Sequence, residues 1–215
     1  MIRPGQAWGR AASGPAVAVG AGGDADLARL VAANPGARLA FRPDDRCDLA
    51  RAVGLLPAAP AVTELPMDAL DLGDAGLAVN VVVLGRPPDR LRRTDRSRAL
   101  TVRVDDRLVF DGAALSVVLA NGQFWRGIDL VARGHPGDGR LEIQVYAPTA
   151  GERVAMRRRV TAGTHLPHPR IVTARGRRAD VRFSIPVAFE VDGVPAPPRA
   201  ALAATVREGA FLLLV

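Results

Sequence analysis

The chain has 215 residues, of which 48% are hydrophobic, and this is enough apolar surface for one large domain or two small ones. Its 29 positively charged residues are all arginine, and the formal net charge of +7 favours an anionic partner such as nucleic acid, a nucleotide phosphate or an anionic membrane surface. The single cysteine, Cys47, excludes an internal disulfide, and an aromatic content of only 4% argues against stacking platforms for single-stranded nucleic acid.

The N-terminal segment and the apolar runs bear on the location of the protein. Residues 1–19 contain small side chains but no continuous apolar core followed by a cleavage site, so a secretory signal is not expected. No run approaches the roughly 20 apolar residues that cross a bilayer as a helix. We therefore expect a cytoplasmic protein whose contact with a membrane, if it has one, is peripheral.

The first third of the sequence alternates short apolar runs with helical periodicity. Residues 15–21 are typical of a buried strand, glycines follow, and Asp24–Ala33 carries leucine and valine at helical spacing. A second strand at 38–41 precedes a second helix at 48–55, for which Asp48 is a candidate N-cap. This order of strand, turn and helix predicts an α/β arrangement.

From about residue 68 the pattern changes to β-runs separated by turns. The runs are rich in valine, leucine and isoleucine and lie at 76–84, 100–104, 107–110, 115–121, 140–146, 171–174, 179–185, 187–191 and 210–215. Antiparallel strands at this spacing indicate a sandwich or a partly closed barrel, and one helix is predicted at 148–160. With the Pro- and Ala-rich stretch 55–66 as a linker, we predict a small truncated Rossmann-like α/β domain at 1–66 and a larger antiparallel β-sandwich domain at 67–215.

Two turns contain residues that could bind a ligand or take part in catalysis. In AVGAGGDADLARLV, Gly22 and Gly23 stand between a strand and a helix N-terminus, where free N–H groups and the helix dipole can hold a phosphate. The same glycines suit a tight strand-to-helix turn in which Asp24 or Asp26 caps the helix. Asp192 in Val-Asp-Gly-Val likewise suits a functional loop or an ordinary hairpin turn. The residues alone leave these alternatives open.

Four short segments of the chain follow one another in a recognisable order. They are GGDAD at 22–26 and, further along, VLANGQFWRGIDLV, GHPGDGRLEIQVY and VAFEVDGVP. In this order they resemble the lipid kinases of the diacylglycerol kinase and sphingosine kinase type. The first matches the first three residues of the family's Gly-Gly-Asp-Gly-Thr signature, and the others resemble its Asn-Gly segment, its Asp-Gly hairpin and its Asp-Gly-Glu loop. The resemblance extends from about Val17 to Val215.

The resemblance implies a lipid kinase that transfers the γ-phosphate of ATP to a lipid hydroxyl in the presence of Mg²⁺. It assigns nucleotide binding to Gly22, Gly23 and Asp24 of the signature. It adds Asp48 and Arg51, because Asp48-Leu49-Ala50-Arg51 corresponds to a second family motif, Asn-Asp-Phe-Ala-Arg. ATP and Mg²⁺ are expected on this ground only.

The resemblance also implies a catalytic base and a metal ligand. Asp192 keeps the position of the Asp that removes the proton of the lipid hydroxyl. Asp138 lies in the hairpin that holds a structural Mg²⁺ in the family, although a Gly-Asp-Gly turn explains this residue equally well.

Several positions depart from the family pattern. Ala25 and Asp26 replace the Gly and Thr of the signature, which adds a Cβ and a negative charge where phosphate must approach. Val194 stands where the family has Glu, and the acidic turn at 44–45 has lost its glycines. Only residues 1–14 precede the first strand, where the family has a strand-helix-strand-helix lead-in.

These departures support a second hypothesis, in which the chain is a catalytically inactive family member that binds a lipid or another partner. The expected partners are a lipid substrate or an anionic membrane surface, whereas nucleic acid is disfavoured. A homo-oligomer is a further expectation, because a sheet without its first strands exposes an edge. The arginine clusters at 157–159 and 175–178 could face lipid or nucleotide or form solvated surface. His165 and His168 lack a third ligand and are expected to be loop residues.

Overall fold

The computed structural model of the protein describes residues 8–55 and 63–215. Its helices are α1 (Asp24–Ala33), α2 (Asp48–Val53) and α3 (Arg153–Thr161), with 3₁₀ turns at Gly73–Ala75 and Pro88–Arg90. Its strands are β1 (Arg10–Ala11), β2 (Ala18–Gly22), β3 (Arg38–Pro43), β4 (Thr63–Asp71), β5 (Leu77–Ala78), β6 (Val81–Gly85), β7 (Arg98–Val104), β8 (Arg107–Ala114), β9 (Ser116–Ala120), β10 (Phe124–Trp125), β11 (Ile128–Asp129), β12 (Leu141–Tyr146), β13 (Ile171–Gly176), β14 (Arg178–Val191) and β15 (Val194–Leu214). None of the described helices has the length and apolar character needed to cross a membrane.

The α/β part is a short parallel sheet that the end of the chain completes. β2 pairs in parallel with β3, and β3 pairs in parallel with residues 212–214 of β15. One core joins Leu27 of α1, Leu39 and Phe41 of β3 and Phe211 of β15. The first third of the chain therefore buries its apolar side chains only together with the C-terminal strand.

The β-sandwich is built on two long antiparallel strands. β14 and β15 pair with each other, β7 and β8 extend β14 at one end, and β6, β9, β12 and β13 continue the sheet in that order at the other. Valine, leucine and phenylalanine side chains from these strands form the largest core. The predicted fold class, a small α/β part followed by a larger antiparallel β-sandwich, is confirmed.

The helix predicted at Asp24–Ala33 has these bounds in the structure, and most predicted strands lie within a few residues of their expected positions. Two predicted strands, at 179–185 and 187–191, are one bent strand, β14. Its pairing with β15 shifts register around Pro186, which has no N–H to donate. The strand predicted at 210–215 is only the end of β15, whose proline- and alanine-rich beginning gave no strand pattern.

Two further predicted elements have different bounds because side chains bind the backbone there. The strand predicted at 76–84 is broken at Val79 and Asn80, whose N–H groups donate to the Asp192 carboxylate instead of a neighbouring strand. The helix predicted at 148–160 begins only at Arg153. The Thr149 N–H and hydroxyl bind the Glu152 carboxylate, which closes a turn before the helix.

The division into domains at 66 and 67 stays a prediction. The boundary lies inside β4, and β4 and β15 run through both the α/β part and the sandwich. Most of the predicted linker, residues 56–62, lies outside the described residues. β2 pairs only with β3 in the described part of the chain, and Val17 and Val19 are exposed there.

Asn121 offers a test of how the two parts are joined. Its amide Nδ2 donates to the carbonyl oxygens of Asp68 (2.9 Å) and Val79 (2.8 Å), and the side chain is fully buried. Asn121→Ala should lower the free energy of unfolding by about 2 kcal/mol in a urea titration, because two buried carbonyls lose their donor. Asn34→Ala, which removes one bond to the Leu30 carbonyl at a partly exposed helix end, is the control. Equal losses for both variants would contradict this role.

Candidate functional site

A cavity of about 490 Å³, here called the cleft, lies between the α/β part and the sandwich. The turn that follows β2 and the start of α1 form one wall, and the turn between β14 and β15 faces it. Five aspartates and three arginines line the cleft: Asp24, Asp26, Asp45, Asp48, Asp192, Arg29, Arg46 and Arg126. The structure thus brings the altered Gly-Gly-Asp signature and the Val-Asp-Gly-Val turn to one place.

Asp24, in the first turn of α1, holds the beginning of α2. Its Oδ1 accepts a hydrogen bond from the Leu49 N–H (3.0 Å), and its Oδ2 accepts from the Asp48 N–H (3.2 Å) and the Asn80 side chain (2.6 Å). Burial raises the pKa of Asp24 to about 6, although these donors act in the opposite direction. Asp24 therefore binds the free N–H groups of α2 rather than those of its own helix.

Asp192 is held more tightly. Its Oδ1 accepts from the N–H groups of Asn80 (2.9 Å) and Val81 (3.0 Å), and its Oδ2 accepts from the Val79 N–H (2.8 Å). Burial, followed by the charge of Asp24, raises the pKa of Asp192 to about 7. The residue adopts a left-handed backbone conformation with φ of 48°, which aspartate tolerates better than most residues.

Asn80 connects the two carboxylates, and sequence reasoning missed it. Its side-chain Nδ2 binds Asp24 and the Phe124 carbonyl, while its backbone N–H binds Asp192. The signal in the sequence was a single polar residue inside the apolar run LAVNVVVLG, and this residue proves to be 1% exposed.

The glycine turn itself is occupied by a neighbouring side chain. The Gly23 N–H donates to Asp26 Oδ2 (2.9 Å), so Asp26 rather than Asp24 caps α1. A Cβ on Gly22 would lie 2.2 Å from the same oxygen, and Gly22 has a φ of 128°, so this position requires glycine. Arg29 forms an ion pair with Asp26, and the Arg46 guanidinium lies 3.9 Å from it.

Asp48 and Arg51, the other predicted nucleotide contacts, form an ion pair in which Arg51 Nε lies 3.9 Å from Asp48 Oδ1. Asp48 lines the cleft, and its Oδ1 accepts the Gly127 N–H (2.9 Å); burial raises the pKa of this carboxyl. Arg51 is not part of the cleft wall, since its guanidinium lies over the Phe124 ring, 5.9 Å from the ring centre. Both assignments stay predictions.

The surroundings of Asp138 do not fit a resident Mg²⁺. Its Oδ1 accepts the Arg140 N–H, and its Oδ2 is bound by the Arg175 guanidinium. Within residues 8–55 and 63–215, no three carboxylate, histidine or cysteine side chains are grouped so that they could hold a metal ion. Both carboxylate oxygens of Asp138 are thus engaged by arginine residues, and its assignment as a metal ligand stays a prediction.

The two loop histidines do not form a pair. His165 is buried, with Nε2 3.0 Å from the Leu130 carbonyl oxygen, and burial lowers its pKa. His168 Nδ1 accepts the Arg170 N–H (3.1 Å).

Arg126, which sequence reasoning did not single out, borders the cleft. It binds Glu190 through Nη2 (2.6 Å) and Asp89 through Nη1 (3.0 Å), and it stacks on the Trp125 ring at 4.2 Å. The bonds to Glu190 and Asp89 connect the cleft wall with the 3₁₀ turn Pro88–Arg90.

The raised pKa of Asp192 predicts how stability depends on pH. A buried aspartate with a pKa near 7 stabilises the folded state fully below its ordinary value near 4, and this stabilisation is lost as the pH rises through 7. Between pH 4 and pH 8, the unfolding free energy of the wild type should therefore fall relative to that of Asp192→Asn. Each pKa unit is worth about 1.4 kcal/mol. Urea titrations across this range measure it, and a constant difference would contradict a buried protonated carboxyl.

Comparisons with known proteins agree with this architecture. The family model described as the YegS C-terminal NAD kinase beta sandwich-like domain matches residues 91–215, more than half of the chain. A crystal structure of a diacylglycerol kinase from Bacillus anthracis str. Sterne superposes with a TM-score of 0.71 at 15% identity, covering 91% of this chain and 75% of that one. A second structure from the same organism gives 0.74 at 14% identity, covering 91% and 77%.

A yeast NADH kinase complexed with NADH superposes with a TM-score of 0.50 at 13% identity, covering 92% of this chain and 60% of that one. No curated protein sequence matches the chain. At these identities the structural likeness concerns the fold. Because the family model spans residues 91–215 and the same fold recurs in the bacterial enzyme, the chain belongs to the family of diacylglycerol-kinase-like proteins.

Proposed function

We propose that the chain is a lipid kinase that transfers the γ-phosphate of ATP to a lipid hydroxyl in the cleft. The observation that carries this proposal is the convergence of Asp24 and Asp192, from the two parts of the fold, on one cavity beside a glycine turn. Membership of a kinase-like family and the shared fold support it. Phosphoryl transfer needs positioning and charge stabilisation more than covalent chemistry, and a cleft of this kind can supply both.

In this proposal Asp192 is the general base. Two N–H donors occupy Oδ1 and only one occupies Oδ2, so one lone pair of Oδ2 is left to accept a proton. A pKa near 7 suits a base that works at neutral pH. The acceptor oxygen attacks the γ-phosphorus while its proton passes to Asp192, the bond from the γ-phosphorus to the β,γ-bridging oxygen breaks, and ADP leaves.

The nucleotide would approach the turn at Gly22 and Gly23, with Arg29 and Arg46 beside its phosphates. Both arginines are exposed cations at the edge of the cleft, where Arg29 can leave Asp26, and Arg46 can leave Asp44, for a phosphate. The Mg²⁺ that accompanies ATP is part of the substrate. One protein with a similar fold, a yeast NADH kinase, is complexed with the nucleotide NADH, which supports nucleotide binding by a chain of this fold.

Transfer of labelled γ-phosphate from Mg-ATP to a panel of diacylglycerols and long-chain amino alcohols tests the proposal. We expect transfer to increase as the pH rises through about 7, because Asp192 must be ionised to accept the proton. Asp192→Asn should lower the rate at least 100-fold, whereas Asp111→Asn, on β8 outside the cleft, should not. If the wild type transfers no more label than Asp192→Asn, the chain is not a lipid kinase for these acceptors.

One observation favours the second hypothesis, a non-catalytic binding module. The Asp26 carboxylate sits on the Gly23 N–H, which is the group that would otherwise face a phosphate. A carboxylate in this position both blocks the donor and repels a triphosphate.

Calorimetric titration with Mg-ATP separates the two hypotheses. If Asp26 excludes the nucleotide, the double variant Asp26→Thr with Ala25→Gly should bind Mg-ATP at least tenfold more tightly than the wild type. Asp111→Thr removes the same charge outside the cleft and is the control. Equal, saturable binding by the wild type and the double variant would reject the module hypothesis and leave the kinase proposal in place.

A further inference from the structure

The net charge of the protein comes from two short segments. Residues 86–98 and 152–161 contain ten arginines but only three carboxylates, those of Asp89, Asp95 and Glu152. The rest of the sequence contains 19 arginines and 19 carboxylates. The whole formal excess of +7 therefore belongs to about a tenth of the chain.

The structure places these two segments side by side. Arg153, at the start of α3, is buried, and its Nη1 donates to the carbonyl oxygens of Arg93 (2.9 Å) and Asp95 (2.5 Å). α3 also packs on the 3₁₀ turn Pro88–Arg90. Arg153 thus holds the loop against the helix and joins their arginines into one surface. We call this surface the basic face and define it by the arginines at 92, 93, 96, 157, 158 and 159.

Within residues 8–55 and 63–215, the arginines of the basic face have no carboxylate partner. Arg92, Arg93, Arg96, Arg158 and Arg159 are exposed, and no ion pair to any of them or to the arginine at 157 is formed in the described part of the chain. The carboxylates of the two segments are used elsewhere, by the arginines at 86, 90, 126 and 170. The dipole of α3 favours positive charge at its C-terminal end, which accounts for Arg158 and Arg159. It does not account for Arg92, Arg93 and Arg96 in the loop.

The second arginine cluster of the sequence behaves differently. Arg175 pairs with Glu142 (2.9 Å) and with Asp138, Arg177 pairs with Glu208 (2.7 Å), and Arg178 pairs with Asp180 (2.9 Å). These three arginines are equally close in sequence, yet their charges are compensated. The three loop arginines of the basic face and these three arginines therefore provide an internal comparison, in which the charge is the same and only the pairing differs.

The basic face begins at the rim of the cleft. Arg126 lines the cleft and binds Asp89 in the 3₁₀ turn, and this turn continues directly into Arg92 and Arg93. An anionic surface bound by the loop would thus lie beside the cavity in which phosphoryl transfer is proposed.

We propose that the basic face docks the protein on an anionic phospholipid bilayer, so that a lipid acceptor reaches the cleft from the membrane. Unpaired surface arginines are attracted to anionic headgroups, and the attraction increases with each one. The charges adjoin the proposed lipid site, whereas the low aromatic content disfavours single-stranded nucleic acid. The delivery of a lipid acceptor to the cleft rests on the proposed kinase function, whereas docking on the bilayer needs neither ATP nor turnover.

Sedimentation with vesicles tests docking without any enzyme assay. We expect the full chain to bind vesicles of 70% phosphatidylcholine and 30% phosphatidylglycerol at 0.1 M salt and not vesicles of phosphatidylcholine alone. The triple variant Arg92→Gln, Arg93→Gln, Arg96→Gln should partition on the order of a hundredfold more weakly, about fivefold for each arginine. The variant Arg175→Gln, Arg177→Gln, Arg178→Gln loses the same charge from the ion-paired cluster and should keep its vesicle binding. Circular dichroism verifies that both variants are folded.

Three outcomes would overturn the docking proposal. They are no binding to the anionic vesicles, equal loss in the two triple variants, and displacement from vesicles by duplex DNA at phosphate concentrations below those of the lipid. If the triple variant at Arg92, Arg93 and Arg96 loses vesicle binding while the wild type and both triple variants lack transfer activity, docking is supported and the kinase proposal fails. If a short-chain acceptor in solution is phosphorylated while vesicles are not bound, the kinase proposal is supported and docking fails.

Discussion

The cleft depends on Asn80, which lies between two buried carboxylates. Its side chain holds Asp24 of the α/β part at 2.6 Å, and its backbone N–H holds Asp192 of the sandwich at 2.9 Å. Both carboxylates also accept N–H groups that have no strand or helix partner, at the break between β5 and β6 and at the first turn of α2. Buried N–H groups need acceptors, so these aspartates are required for the architecture whether or not they take part in chemistry.

This arrangement changes the electrostatic argument about the site. By sequence, the cleft carries an excess of aspartates that should repel a triphosphate. In the structure, burial and their proximity raise the pKa values of Asp24 and Asp192 to about 6 and about 7, so that the pair carries less than two negative charges near neutral pH. Asp26 is compensated by Arg29 and by the Gly23 N–H. An anionic ligand is therefore hindered mainly because the Asp26 carboxylate already occupies the Gly23 N–H, and less by the net charge of the cleft.

The elements that depend on local residue patterns could be predicted from the sequence. Glycines before an apolar helical period gave α1 its bounds, and valine-rich runs gave most strands of the sandwich. It could not predict that residues 212–214 complete the sheet begun by β2 and β3, because that pairing joins segments about 170 residues apart. Asn80 was missed for a similar reason: its partners are close only after folding. Of the two aspartates expected as candidate caps of α1, Asp26 binds the Gly23 N–H, whereas Asp24 binds N–H groups at the start of α2, 24 residues later.

The arginines show most clearly why composition needs a structure. The use of arginine without a single lysine is typical of a genome-wide bias in base composition. In the sequence, the arginine clusters at 157–159 and 175–178 were equivalent. Folding separates them, since residues 175, 177 and 178 acquire carboxylate partners from β12, the loop before it, β14 and β15, whereas 158 and 159 acquire none in the described chain. Residues 92, 93 and 96 of the loop beside α3 acquire none there either. A bias in base composition would place arginine without regard to pairing. Outside residues 86–98 and 152–161, 19 arginines are balanced by 19 carboxylates, so the excess is localised on one loop and one helix, which a uniform bias does not explain.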